Sequence, residues 1–267
     1  MSKKAGVLGH PIAHSLSPVL HRSAYEALGF DWEYDAFEVT PEELPAFLRN
    51  CGEDWVGLSL TMPLKTSVIP LLDHVSELAE SVNSVNTVLF RDGDRIGDNT
   101  DVPGAMRALE STGASQFAAA TILGGGATAR SALASVAGLG ATDVAVYVRT
   151  PAAGESMRPL ADALGVTLIV EPWERAAEGL LGDVVVSTVP AGIADTLADA
   201  VPWSAGTLLD VVYAGWPTPL AAAWGDRGGL VASGLDMLIE QAALQVTLMT
   251  GMAAPIDRMR AAVSDSR

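Results

Sequence analysis

The sequence predicts an α/β fold divided into two domains. Three observations carry the prediction. Apolar runs of strand length alternate with helical stretches along the chain; the glycines Gly124-Gly125-Gly126 stand between one such strand and one such helix; and a polar stretch, Gly97-Asp98-Asn99-Thr100-Asp101, interrupts the alternation just ahead of Pro103. Alternation of this kind implies a mainly parallel sheet, because parallel strands need a crossover between them. At 267 residues the chain is long for one core and short for three.

Taken in order, residues 5–9 form a short apolar run ending in glycine and proline, read as a first strand. Ser17-Pro18 places proline just inside a helix over residues 19–28, which stops at Gly29. Residues 32–39 alternate like a strand, residues 41–48 are helical with Glu42 and Glu43 in the first turn, and residues 56–60 read as a buried strand. The border between domains is expected at residues 101–104. Beyond it, residues 118–123 form an apolar strand, the glycine turn follows, residues 130–139 form a helix that Gly140 stops, and residues 143–148 form a second strand. Further strands of βα units are expected at residues 166–170, 184–189 and 207–212. No internal repeat is visible.

The formal charge of -16, from 16 basic and 32 acidic residues, disfavours nucleic acid and anionic membrane as partners, since both need a Lys/Arg footprint. An anionic ligand must therefore be caught by local groups. Thirteen arginines stand against three lysines, and Lys65 is the only lysine beyond the N-terminal pair Lys3 and Lys4. Cys51 is the sole cysteine, which excludes an intrachain disulfide and a cysteine metal cluster and suits a reducing compartment. The first residues lack the basic and apolar regions of a signal peptide, and the most apolar long window, residues 131–148, is broken by Gly138, Gly140, Thr142 and Asp143. A cytoplasmic protein with no membrane partner is expected, as a monomer or homodimer. His10, His14 and His21 are interrupted by Pro11 and Pro18 with no carboxylate between them, so structural or local hydrogen-bonding roles are expected rather than a metal site.

Glycines at a strand-to-helix turn let backbone N–H groups and a helix N-terminus hold a pyrophosphate. An NAD site usually carries Asp or Glu at the end of the next strand. This chain reads Val146-Tyr147-Val148-Arg149-Thr150 there, and an arginine suits a 2′-phosphate, so NADP is favoured with NAD as the alternative. In the first hundred residues four short polar groups each follow an apolar run: His14-Ser15-Leu16-Ser17, Thr61-Met62-Pro63-Leu64-Lys65, Asn83-Ser84-Val85-Asn86-Thr87 and Asp98-Asn99-Thr100-Asp101. In a parallel sheet they would gather at the edge where ligands of open α/β sheets bind. Ser15 and Ser17 either cap a helix or receive a carboxylate. Lys65 and Asp101 are a titratable pair of the kind that moves a proton to or from an alcohol or ketone oxygen.

Together with Gly9-His10-Pro11-Ile12-Ala13-His14 at one end and Ser233-Gly234-Leu235-Asp236-Met237-Leu238-Ile239-Glu240-Gln241-Ala242 at the other, these motifs resemble the shikimate dehydrogenase family in the family's own order. The resemblance implies an N-terminal α/β substrate domain of residues 1–101, to which residues 235–267 return, and a Rossmann-like NADP-binding domain of residues 102–234. It implies NADPH-dependent reduction of 3-dehydroshikimate to shikimate in the route to aromatic amino acids. By position, Ser15 and Ser17 are implied to hold the substrate carboxylate, Thr61, Asn86 and Gln241 its hydroxyls, and Tyr213 to stand near it. Lys65 and Asp101 look like the acid-base pair. Gly124, Gly125, Gly126, Ala127 and Thr128 line up with the phosphate turn, Arg149 and Thr150 with the 2′-phosphate site, and Thr188, Val189 and Met237 with the surroundings of the nicotinamide. The chain departs from the family pattern at Ser59, Val102 and Val148, where Asn, Gly and Asn are usual, and residues 151–156 lack a second basic residue. These departures leave an NAD-dependent quinate or shikimate dehydrogenase, or a non-catalytic shikimate-sensing paralogue, as alternatives.

Overall fold

The computed structural model describes residues 2–114 and 116–264. The chain divides into two compact units: one runs to Thr100 and resumes at Leu238, and the other is Asp101–Met237.

The first unit contains β1 (Lys4–Gly9), α1 (Ser17–Leu28), β2 (Glu33–Glu38), α2 (Leu44–Asn50), β3 (Trp55–Leu60), α3 (Leu64–Ser67), β4 (His74–Val75), α4 (Glu77–Ser81), β5 (Thr87–Arg91) and β6 (Asp94–Asp98). Its sheet has the order β2-β1-β3-β5-β6-β4. Strand β1 is parallel to β2 and β3, but β5 runs antiparallel to both β3 and β6. This sheet is therefore mixed yet still mainly parallel, as expected, with β5 the one reversed strand among those described. The cause is local: Asp92 and Gly93 take positive φ values of 52° and 94°, the two-residue turn that closes a tight hairpin without a crossover. Leu8, Leu44, Leu58, Leu64 and Val88 are fully buried in the core of this unit, each contributing roughly 1.5–3 kcal/mol by leaving water.

The second unit contains α5 (Asp101–Glu110), β7 (Ala119–Leu123), α6 (Ala127–Gly138), β8 (Asp143–Val148), α7 (Pro151–Glu155), α8 (Arg158–Leu164), β9 (Thr167–Pro172), β10 (Val184–Ser187), β11 (Thr207–Asp210), α9 (Pro219–Asp226) and β12 (Leu230–Ser233). All its strand pairs are parallel, in the order β12-β11-β10-β7-β8-β9. From β7 the chain winds outward through β8 and β9, then returns to the other side of β7 for β10, β11 and β12. That is the doubly wound order of dinucleotide-binding domains, and its reversal between β7 and β10 creates a crevice beyond the strand ends. Leu123, Leu180, Val185, Leu208 and Leu220 fill this core beside Trp224, whose indole N–H donates to the Gly206 carbonyl at 2.9 Å. Trp203 lies outside this core: it is 81% exposed, and the Arg227 guanidinium lies 5.4 Å from its ring centroid.

Two helices close the chain, α10 (Gly234–Thr250) and α11 (Ile256–Ser264), the latter packed on α1. Asp101 falls in the second unit because it is the first residue of α5, which packs on α6. Helix α10 starts in that unit, and its residues from Leu238 onward belong to the first. Among the described residues, no helix is long and apolar enough to cross a membrane.

Candidate active site

Because β5 runs against its neighbours, its first residue stands at the edge where β1, β3 and β6 end. The register sets Leu8 opposite Leu60, Ser59 opposite Thr87, and Thr87 opposite Asp98. The ladder continues into the loops: Thr61 N–H donates to Leu8 O at 2.9 Å, Leu60 N–H to Asn86 O at 2.8 Å, and Asn86 N–H to Asp98 O at 3.1 Å. Thr61, Asn86 and Thr100 are thereby carried on one edge of the first sheet. Lys65 sits half-buried on the single turn of α3, whose backbone is tied to the same edge where Val85 N–H donates to Lys65 O at 2.8 Å.

The side chains at this edge are mutually oriented. The Asn86 Oδ1 accepts from Thr100 N–H at 2.8 Å and from Thr87 Oγ1 at 2.9 Å, which turns its amide nitrogen toward Thr100 Oγ1 at 2.9 Å and Gln241 Oε1 at 3.3 Å. Gln241 is anchored in turn by its Nε2, which donates to Leu238 O at 2.8 Å. Asn86, Thr100 and Gln241 are all buried, so these polar contacts are made out of bulk water, where an unpaired group would be costly. Ser15 and Ser17 do not cap α1: the N-cap position is Leu16, with no side-chain cap bond, and Ser15 Oγ accepts from Ser17 N–H at 3.3 Å. Of the histidines considered for a metal, His10 is exposed and paired with Glu38 at 3.0 Å. His21 is fully buried and stacked on Tyr34, with burial pushing its pKa from 6.5 down to about 3.

In the second unit the glycine turn lies at the crevice between β7 and β10. Gly124 has φ 110°, and a Cβ there would come within 2.6 Å of Thr188 Oγ1 at the end of β10. Only glycine allows both that backbone conformation and that approach. Gly124 N–H donates to Tyr147 O at 2.9 Å, while Thr188 donates to Leu123 O through its N–H at 2.9 Å and its hydroxyl at 2.8 Å. Helix α6 begins at Ala127, three residues earlier than the apolar pattern suggests, so Gly126 is its N-cap and makes no side-chain cap bond. A Cβ at Gly126 would meet nothing within 4 Å, and the first turn, with Ala127 and Thr128, is open to an approaching anion. Arg149 and Thr150 are exposed at the end of β8, ahead of α7. Val189 follows Thr188, Met237 is buried in the first turn of α10, and Asp101 is buried at the start of α5. Tyr213 lies in the loop after β11. Asp210 holds that loop, its carboxylate accepting from Thr218 Oγ1 at 2.8 Å and from Val212 N–H at 3.2 Å, and burial raises the pKa of both Asp210 and Tyr213.

Comparison with known proteins bears on the whole of this arrangement. The profile described as the shikimate dehydrogenase substrate binding domain matches residues 7–88, and that of the shikimate 5′-dehydrogenase C-terminal domain matches residues 234–263. The shikimate dehydrogenase (NADP(+)) of Oleidesulfovibrio alaskensis is 36% identical, over 98% of this chain and 94% of that protein. The chain belongs to the shikimate dehydrogenase family. Its fold is similar to the crystal structure of Mycobacterium tuberculosis shikimate dehydrogenase, with a TM-score of 0.91, 41% identity, and 99% and 100% of the two chains covered. It is also similar to shikimate 5-dehydrogenase from Thermus thermophilus in complex with NADP(H) and shikimate, with a TM-score of 0.88, 32% identity, and 99% and 100% covered.

Against this shikimate dehydrogenase fold, the sequence motifs give roles to Asn86 and Gln241 but none to two neighbours, Thr100 and Gln245, whose Nε2 donates to Asn86 O at 3.1 Å. Thr100 lies within one of the polar motifs, but its bonds to Asn86 follow from the hairpin, which the motif alone does not show. Gln245 carries a signal of its own, since it lies four residues after Gln241 and so on the same helix face.

Proposed function

We propose that this chain catalyses the reversible reduction of 3-dehydroshikimate to shikimate with NADPH, the step its family performs in the route to aromatic amino acids. Family membership over nearly the full length is the observation that carries the reading. The second unit suits the dinucleotide on its own geometry. The Gly124–Gly126 turn at the crevice, the open first turn of α6 and the lack of a carboxylate at the end of β8 are what a pyrophosphate and a 2′-phosphate require. Gly124, Gly125, Gly126, Ala127 and Thr128 would hold the pyrophosphate, and Arg149 and Thr150 the 2′-phosphate, with Arg149 offering a charge-assisted fork. Thr188, Val189 and Met237 would border the nicotinamide. When bound, NADP supplies the hydride acceptor for oxidation and the donor for reduction.

The remaining work falls to the chain. Ser15 and Ser17 present hydroxyls to the substrate carboxylate, which suits a protein of charge -16 with few cations to spend. Thr61, Asn86 and Gln241 orient the ring hydroxyls, and Tyr213 borders the substrate. In oxidation the Lys65 amine takes the hydroxyl proton as the carbon–hydrogen bond breaks; in reduction its ammonium returns that proton to the oxygen. Asp101 is the carboxylate partner in this transfer. Shikimate and quinate, each offered with NADP+ and with NAD+, form the test. Fastest reduction is expected for NADP+ with shikimate, and absence of NADPH formation with shikimate would refute the assignment.

A further inference from the structure

Beneath the hydroxyl-orienting residues of the first unit runs a buried polar chain that the reaction does not consume. Gln245 is 1% exposed, and its amide can point only one way. The Nε2 donates to Asn86 O at 3.1 Å, a carbonyl that can only accept, and to Thr87 Oγ1 at 2.9 Å. The Oε1 therefore faces the opposite side, where it accepts from Ser59 Oγ at 2.7 Å and lies 3.3 Å from His21 Nε2. Ser59, its proton committed to Gln245, accepts from the Tyr34 hydroxyl at 2.6 Å. From the other end, Thr87 Oγ1 donates to Asn86 Oδ1 at 2.9 Å. One continuous sequence of bonds thus joins Tyr34 to Asn86 through Ser59, Gln245 and Thr87.

We propose that Gln245, with Ser59 and Tyr34, is a positioning residue that steadies the Asn86 amide for the substrate's hydroxyls. The strand ladder does not depend on Gln245, because Asn86 O also accepts Leu60 N–H at 2.8 Å. What Gln245 adds is a hydrogen bond donated to Thr87 Oγ1, which commits the Thr87 hydroxyl's own proton onward to Asn86 Oδ1. That commitment reinforces the orientation, also held by Thr100 N–H, in which Asn86 presents its nitrogen. Loss of Gln245 leaves Thr87 free to reverse, which takes from Asn86 Oδ1 one of its donors and leaves the Thr100 N–H, at 2.8 Å, to hold an amide that is less tightly set for the substrate.

The inference rests on the proposed activity, and the wild-type assay alone tests that part: a wild-type protein inert toward shikimate refutes the function, whereas an active wild type with indifferent variants refutes only the positioning role. The test compares Gln245→Met, close in volume, and the milder Ser59→Ala, which decides the matter if the first does not fold. KM for shikimate is expected to rise about tenfold for Gln245→Met and about threefold to tenfold for Ser59→Ala, with kcat and KM for NADP+ unchanged in both, the pattern of lost ground-state and transition-state binding together. Ser59→Thr, which keeps the hydroxyl, is expected to recover most of the loss. A merely structural role would lower the thermal midpoint and leave KM for shikimate at the wild-type value. That result, or equal changes in KM for shikimate and NADP+, would overturn the proposal.

Discussion

His21 lies fully buried in the first unit, its ring stacked on Tyr34 at a centroid distance of 4.0 Å, with burial driving its pKa from 6.5 to about 3. The folded protein therefore keeps this imidazole neutral across the range from pH 6.5 down to about 3, in which the unfolded chain protonates it. Below pH 6.5 the unfolded state binds a proton that the folded state excludes, so stability falls as pH falls, by about 1.4 kcal/mol per pH unit. At pH 5 the loss from this one group amounts to roughly 2 kcal/mol, a figure that depends only on His21 staying neutral in the fold. The experiment is urea unfolding of wild type and His21→Phe, followed by tryptophan fluorescence, between about pH 7.5 and about pH 5. The substitution costs stability at every pH, because it removes partners from Tyr25 and Gln245. The informative quantity is the difference between the two proteins, from which the titration of the many carboxylates and the exposed histidines cancels. That difference is expected to shrink by about 2 kcal/mol over the range. A difference independent of pH would refute the argument, since it would mean that His21 charges as readily in the folded state as in the unfolded one.

Three further outcomes are expected. Lys65→Ala should lower turnover by about 10²–10⁴-fold, the range for loss of a general acid-base group, with an unchanged thermal midpoint as the control. Arg149→Ala should raise KM for NADP+ by about tenfold or more while leaving KM for NAD+ unchanged, as measured by NADPH and NADH absorbance, because only the former carries the phosphate that the guanidinium would meet. Gly124→Ala should destabilise the protein by about 1–3 kcal/mol in thermal melts and raise KM for NADP+, since the new Cβ would stand 2.6 Å from Thr188 Oγ1 on a backbone of φ 110°.

The second unit is the more legible in sequence because its signals are local. A strand, three glycines, a helix and a second strand follow one another within about thirty residues, and each is set by neighbours in the chain. The start of α6 reads late: Ala127, Thr128 and Ala129 carry no apolar periodicity, and the turn's own geometry decides where the helix begins. In the first unit, the strand endings predict that polar residues collect at one edge. The reversal of β5 is what puts Asn86 there, and its signal, Asp92-Gly93, passes in the sequence as part of a polar stretch. The chain Tyr34, Ser59, Gln245 cannot be read at all. Its members are separated by 25 and 186 residues, and their pairing is a product of sheet order and of α10 reaching this unit. Ser59 registers only as a departure from pattern, because the partner that gives it meaning lies near the other end of the chain.

The hairpin has a practical corollary. Strands β5 and β6 deliver Asn86 and Thr100 to the working edge of their sheet, so the turn that joins them, at Asp92 and Gly93, projects from the opposite edge and is exposed. The residues proposed to act from this pair of strands stand at their far ends, about five residues of paired backbone away. The tip is thus the natural port of this molecule. A short peptide tag or a fluorescent reporter spliced between Asp92 and Gly93 would lengthen a loop whose ends are already clamped, at little entropic cost, giving an addressable enzyme without a change to either terminus.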